Sequence, residues 1–458
     1  MTPLAMVVTL VGAILLWVLP KRKAAVAFFA LALYVTGAQI ELGINLTILR
    51  ILSMVGVMRV VAKRENIIGG LQKMDWLVLA WGAVLVVSSV FHNKVGPTLI
   101  YRLGIAFDHL SLYFLMRVFV DGIEGFRWVS KATLILLVPL AFLMVVEKTT
   151  GHNSFAVLGG VSDVSASRHG KIRAQGPFAH AILGGTVGAV CLPLALVFWR
   201  KSRKIALIGG AAALGVVYAS GSSGPIMTAL TLMMALGVWK IKSQLKTLRW
   251  TAVGVIIALS IVMQDPVYYL IARIDITGGS TGWHRAELIH ASITHIGEWW
   301  VGGTDYTRHW MPTGVEWNTS HTDITNHFIK MGVWGGLLLV VLFTAILVMG
   351  FTYVGKLLRS GKLTREEKFI AWILGAILFG HTTTFVSVSY YDQSLAFLYF
   401  NLASICSILA AVNRRKVAAQ SVEIKKPTDV NDVTDVPETK PGTAQGTPAY
   451  AGNFNYNS

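Results

Sequence analysis

Charge is scarce in this chain. Asp, Glu, Lys and Arg make up 14% of 458 residues, against about a quarter in ordinary soluble domains. Cysteine is scarcer still, with two residues, Cys191 and Cys406, both inside apolar runs. That excludes a disulfide framework and a cysteine-based metal site, and leaves both as small packing residues. There is no HExxH pattern and no internal repeat. The net charge of +17 comes from short basic clusters, and no aromatic-plus-basic module of a nucleic-acid binder accompanies them.

What is abundant is apolar: 54% of the residues. Several stretches reach the roughly 20 residues that cross a bilayer core. Such segments must satisfy their own backbone hydrogen bonds, so the expected fold is all-α, a polytopic helical bundle. Thirteen spans are expected, near 3–20, 25–41, 45–62, 74–92, 97–120, 128–146, 177–199, 204–220, 223–239, 250–264, 324–354, 369–387 and 393–412. Glu41 and Arg50 interrupt the second and third, and twelve is the alternative count. The bundle occupies 1–416. Residues 417–458 are rich in Thr, Pro, Asp, Glu, Lys and Gly and are expected to be a disordered tail.

Basic clusters set the orientation. They follow the first span (Lys21–Lys23), separate the seventh from the eighth (Arg200–Lys204) and the ninth from the tenth (Lys240–Arg249), separate the eleventh from the twelfth (Lys356–Lys368), and follow the last (Arg414–Lys416). With alternating spans all five fall on one side, the cytoplasmic one. The tail is then cytoplasmic, and two long connections, about 147–176 and 265–323, are external. The first apolar run lacks a basic leader and reads as an uncleaved span.

The longer connection is no low-complexity linker. It carries Trp283, Trp299, Trp300, Trp310 and Trp317, and six of the twelve histidines lie between His284 and His327. Indole-rich segments favour the headgroup region. Leu288, Ile289, Ile293 and Ile296 recur at helical spacing, which predicts an amphipathic interfacial helix over 285–300.

Candidate chemistry gathers on this face. Arg285 is permanently charged and suited to bidentate contact with phosphate, or simply to lipid headgroups. His321 is a candidate general base, with Asp323 or Glu316 as its tuning carboxylate. Asp323 also reads as the N-cap of the eleventh span, assisted by Thr322 and Thr325. On that helix Asp323 and His327 share a face four residues apart. They offer a metal pair, but a third ligand is not evident and no metal site is expected. Within the spans, Arg50, Arg59, Arg102, Asp108 and Arg117 are ionisable. Arg59 and Arg117 are expected to snorkel to the cytoplasmic edge. Asp108 and Arg102 read as structural ion-pair members, and Arg102, near an outer end, also reads as lining an external cavity.

These pieces resemble the O-antigen ligase and O-antigen polymerase superfamily of bacterial membrane glycosyltransferases. Arg285 matches the arginine early in that family's large periplasmic loop. His321 is followed at the family spacing by Gly332-Val333-Trp334-Gly335, which singles it out over His327. RAQGPFAHAILGG (173–185) is similar to the segment entering an earlier span. One departure stands out: where the family has Ser-Arg-Gly opening the ninth span, this chain has SGSSGP (220–225), and Arg173 or Arg308 would have to supply the missing cation. The resemblance implies an inner-membrane enzyme that needs no cofactor and no metal. Its donor would be an undecaprenyl-diphosphate-linked saccharide, its acceptor a glycan. Arg285 and His321 would be catalytic, and Arg173, Arg308, Asp323, His327 and Arg102 would contact substrate. Polysaccharide-export or chain-length proteins would be partners. Polymerisation of repeat units is the first expectation, ligation to a lipid A core the second. A lipid-linked oligosaccharide flippase is the alternative of another class, and it would predict key charges at the midplane and an internal repeat.

Overall fold

The structure is a computed structural model that describes residues 1–41, 45–273, 282–312, 314–315 and 318–424. Its helices are α1 (Pro3–Val18), α2 (Lys21–Tyr34), α3 (Ile48–Ala62), α4 (Lys73–Val87), α5 (Val95–Phe119), α6 (Ile123–Thr150), α7 (Ala181–Cys191), α8 (Leu194–Phe198), α9 (Arg203–Ala219), α10 (Ser223–Gly237), α11 (Leu245–Val262), α12 (Gly282–Thr294), α13 (Ile296–Trp299), α14 (His327–Arg359), α15 (Arg365–Thr384) and α16 (Gln393–Ile424). Three short antiparallel hairpins interrupt them: β1 (Gln39–Glu41) with β2 (Asn45–Thr47), β3 (Ser167–Arg168) with β4 (Lys171–Ile172), and β5 (Gly314–Val315) with β6 (Asn318–Thr322).

Among the described residues, each of the thirteen apolar runs coincides with a helix, α7 and α8 forming one run broken at Leu192-Pro193. Seven segments of the described residues are long and apolar enough to cross a membrane: Lys73–Phe91, Val95–Phe119, Ile123–Thr150, Ala181–Phe198, Ser223–Val262, His327–Arg359 and Gln393–Arg414. The second run is shorter than expected. Helix α2 stops at Tyr34, and the hairpin β1–β2 takes over where Glu41 breaks the apolar pattern.

Met1–Arg415 form one compact unit. Within it α6 packs on α2 and α9, α4 on α5 and α14, and α10 on α7 and α15. Helix α16 is apolar all round up to Val412 and almost wholly buried there, as expected of a central helix. Helix α11 is the reverse: none of its residues is buried, and Ile261 and Val262 are 78% and 81% exposed. Cys191 and Cys406 are free and fully buried, as packing residues should be. In the second unit, Lys416–Ser458, helix continues to Ile424, so structure persists beyond residue 417. The rest of the expected tail lies outside the described residues, as do Glu316 and Trp317.

Four of the five charges expected within the spans, Arg50, Arg59, Asp108 and Arg117, are paired, and the expectation that Arg59 and Arg117 snorkel is corrected. Arg117 is fully buried. It binds both oxygens of Asp75 at 2.9 and 3.1 Å and Ser407 Oγ at 2.7 Å, while Tyr113 donates to the same carboxylate at 2.5 Å. Burying charge is tolerable only with such complete satisfaction. Arg59 is buried too. It pairs with Glu65 and closes the end of α1 by donating to the carbonyls of Leu16 and Leu19. Asp108 is held bidentately by Arg50 at 2.8 and 2.5 Å, the structural pairing expected of it.

Candidate active site

The 265–323 connection is pinned to the bundle by glycine. Helix α14 loses helical geometry at Gly335 and Gly336, the latter with φ +75°. A Cβ on Gly336 would collide with the Val301 carbonyl, and one on Gly332 would come within 2.6 Å of the Trp299 ring. Without those side chains the 299–304 segment lies directly on α14. The backbone groups freed by the break find partners there: Leu337 N–H donates to Trp300 O at 2.8 Å, and Thr304 N–H to Val333 O at 3.0 Å. The glycine motif is therefore a docking surface for the chain leading to Asp305 and Thr307.

Thr307 is fully buried and organises His321. Its N–H donates to Ser320 O at 2.9 Å, its hydroxyl accepts from Thr322 N–H at 3.2 Å, and the same hydroxyl lies 3.1 Å from His321 Nδ1. His321 is half-buried on β6. Around it stand three charged or titratable groups. His92, just past α4, meets Asp305 at 2.5 Å and Gly302 O at 3.1 Å. Asn93 N–H donates to the other Asp305 oxygen at 2.8 Å. Arg102, on the first turns of α5, reaches His92 at 3.3 Å, is buried, and has Nε and Nη1 without a partner. Burial lowers the pKa of His321 below the ordinary 6.5. Asp305 opposes that shift, and Arg102 and His92 reinforce it. Burial works to raise the Asp305 pKa, but the Asn93 amide and His92 outweigh it and hold the carboxyl low.

Asp305 is thus the carboxylate that acts on His321, in place of the sequence neighbour Asp323. The capping expectation is corrected as well. Asn326 caps α14, its carbonyl oxygen accepting from Phe328 and Ile329 N–H. Helix begins at His327, so Asp323 lies off it and shares no helix face with His327. Asp323 is exposed. Its carbonyl accepts from His284 Nε2 at 3.0 Å, tying α12 to the run into α14.

A second cluster is cationic. The buried Glu147 carboxylate at the end of α6 accepts from Ser165 Oγ, Gln175 N–H and Gly176 N–H at 2.8–2.9 Å. That fixes the 165–176 loop and presents Arg173. The Arg173 guanidinium donates to Ser222 Oγ at 2.6 and 3.2 Å, inside the SGSSGP segment. Nearby, Lys148 Nζ donates to Ile172 O at 3.1 Å. Arg285, buried on α12, donates to Ser387 O at 3.2 Å. Burial lowers the pKa of Arg285 first and Arg168 lowers it further, with Asp323 opposing. Burial likewise lowers that of Arg173, reinforced by Arg168 and Arg285. Each stays charged at any physiological pH. Arg168, Arg173 and Arg285, from two connections, therefore lie within electrostatic reach of one another, and Asp323 acts on Arg285.

The structure brings Arg285, Arg173 and Asp323 into one neighbourhood and His321 and Arg102 into another. The two are joined by the two-residue step from His321 to Asp323. Arg308 joins neither: its guanidinium donates to Met311 O and Pro312 O at 3.0 Å and closes its own turn. His327 joins neither as well. It is fully buried, stacked on Phe385, and accepts from Tyr390 N–H at 3.3 Å. The interfacial helix is also shorter than expected. Helix α12 ends at Thr294 and α13 follows after His295. Leu288 faces inward, while Ile293 and Ile296 face out with Trp283 and Trp300. Sequence reasoning missed His92, Asp305, Thr307 and Arg168. Asp305 and Thr307 sit in a polar run, GTDYTRH, whose only signal is its closeness to His321 in sequence.

No protein-family model matches the chain, and no curated protein matches it.

Proposed function

We propose that the chain is a multi-pass inner-membrane glycosyltransferase that works at the periplasmic face and polymerises undecaprenyl-diphosphate-linked repeat units of an exopolysaccharide or O-antigen. The observation that carries this reading is the cationic neighbourhood of Arg285, Arg173 and Arg168, joined through the two-residue step from Asp323 to the half-buried, neutral-leaning His321. A membrane setting is supported by the outward apolar faces. Helix α11 exposes Trp250, Ile261 and Val262, a surface suited to lipid and unsuited to water. The exposed Trp283, Ile293, Ile296 and Trp300 suit headgroup depth.

The chemistry follows from the charges. A lipid-linked donor enters with its diphosphate at headgroup depth. Arg285 and Arg173 neutralise the leaving diphosphate as negative charge grows on it. In the tautomer whose Nδ1–H donates to Thr307, Nε2 carries the lone pair. Nε2 takes the proton of the acceptor hydroxyl while that oxygen bonds to the anomeric carbon. The bond from that carbon to the diphosphate oxygen breaks, its electron pair leaves on the diphosphate, and the configuration inverts.

Ligation to a lipid A core is the second reading. The missing family arginine counted against it, and Arg173 on Ser222 supplies a cation in that segment. The acceptor decides between the two readings.

The test is product length on a gel from cells making Arg285→Lys and Arg285→Ala at matched protein levels. Lysine keeps the charge and loses the bidentate grip, so both variants are expected to lose most product. Wild-type ladders from both would leave Arg285 as a headgroup contact and remove the transferase reading of this cluster.

A further inference from the structure

His295, Glu298 and His309 form a cluster that the transfer chemistry does not use. His295 lies between α12 and α13, Glu298 on α13, and His309 on the single 3-10 turn Arg308–Trp310. Nδ1 of His295 lies 2.8 Å from the Glu298 carboxylate and Nε2 of His309 lies 3.0 Å from it. All three donor atoms are within 4.8 Å of one another. We propose that these residues bind a divalent transition-metal ion of the zinc type, with two imidazoles and one carboxylate as ligands.

Three features support this. Zinc bonds of roughly 2.0–2.2 Å place tetrahedral donors about 3.3 Å apart, so small side-chain shifts admit the ion. The rings are already oriented. Trp310 stacks parallel to His295 at 6.0 Å and donates its indole N–H to Glu298 at 3.1 Å, while Tyr306 stacks on His309 at 5.4 Å. Outer groups of this kind hold ligands in place at metal sites. Finally, the three residues are partly exposed, at 30% to 39%, so a hydrated ion has access. Nitrogen-rich donors favour zinc, cobalt, nickel or copper over magnesium and calcium. Three protein ligands leave a fourth position for water.

The ion would cross-link the α12–α13 junction to the turn beginning at Thr307, the residue that sets His321. Binding itself does not rest on the transferase reading; the coupling to His321 does.

The experiment uses the full chain, purified in detergent with any affinity tag removed, stripped with chelator and dialysed against zinc. Metal content is read by atomic emission. Wild type is expected to retain about one zinc per chain. His309→Gln and His295→Gln should each lose it, and Trp310→Phe should bind about 10–100-fold more weakly. His152→Gln, at a different exposed histidine, should bind as wild type. Cobalt in place of zinc should give the visible absorption of a four-coordinate ion in wild type only. The melting temperature of wild type should rise with zinc, and that of His309→Gln should not. A wild type that retains no zinc overturns the proposal and leaves a hydrogen-bonded triad only. So does retention equal to wild type in His309→Gln and His295→Gln. Because binding is read without turnover, loss of the transferase reading would leave this result standing.

Discussion

The hydroxyl of Thr307 lies 3.1 Å from Nδ1 of His321 and also accepts from the backbone of Thr322. One buried oxygen thus holds β6 to the preceding turn and sets the ring of the candidate base. Thr307→Val keeps the shape and removes that oxygen. A net hydrogen bond contributes about 0.5–1.5 kcal/mol, so kcat is expected to fall roughly 3–10-fold with donor KM little changed. Rates at saturating lipid-linked donor check this. An unchanged kcat would remove Thr307 as a positioning residue.

The pH profile follows from the same neighbourhood. Burial places the His321 pKa below its ordinary 6.5, and Asp305 is the charge that holds it up. A lowered pKa keeps the imidazole neutral at neutral pH, so the rate is lost only as pH falls through that lowered value. Asp305→Asn removes the supporting charge, and its acid limb is expected at still lower pH. pH–rate profiles of both proteins provide the check; a limb that moves upward contradicts the assignment.

Much of the fold was legible because lipid-length apolar runs have few other uses. All thirteen coincide with helices, and His321 stood out through the family resemblance of its spacing to Gly332 and Gly335. Its partners did not. Asp323 is near His321 in sequence, yet Asp305 acts on it and is itself held by His92, 213 residues away. Local patterns cannot show such a pairing. Both Asp323 and Asn326 are good capping types, and only the chain path into α14 selects Asn326. Asp75 with Arg117 was hidden in the same way: Arg117 read as an edge charge until α4 and α5 placed it against Asp75.

That buried pair should carry stability. Arg117→Ala strands the Asp75 carboxylate and is expected to cost about 3–5 kcal/mol. Thermal unfolding in detergent measures it. Arg22→Ala is the control, since its contact with Asp121 is exposed and should matter little. Equal melting temperatures for the two variants would contradict the role given to the pair.

Orientation is open to direct labelling. Thr294 and Lys362 are exposed, whereas the native cysteines are buried. An impermeant thiol reagent on spheroplasts is expected to label Thr294→Cys and spare Lys362→Cys. The reverse pattern would place the candidate site in the cytoplasm.

The most direct measurement is turnover of a synthetic lipid-diphosphate saccharide by purified His321→Ala beside His327→Ala. Loss of a general base lowers rate by about 10²–10⁴, so His321→Ala is expected to fold normally, lose that factor, and lose the acid limb. His327 is packed against Phe385 and Phe343, so His327→Ala is expected to reduce the yield of folded protein and leave the rate per folded molecule near wild type. Normal turnover by His321→Ala would contradict the account.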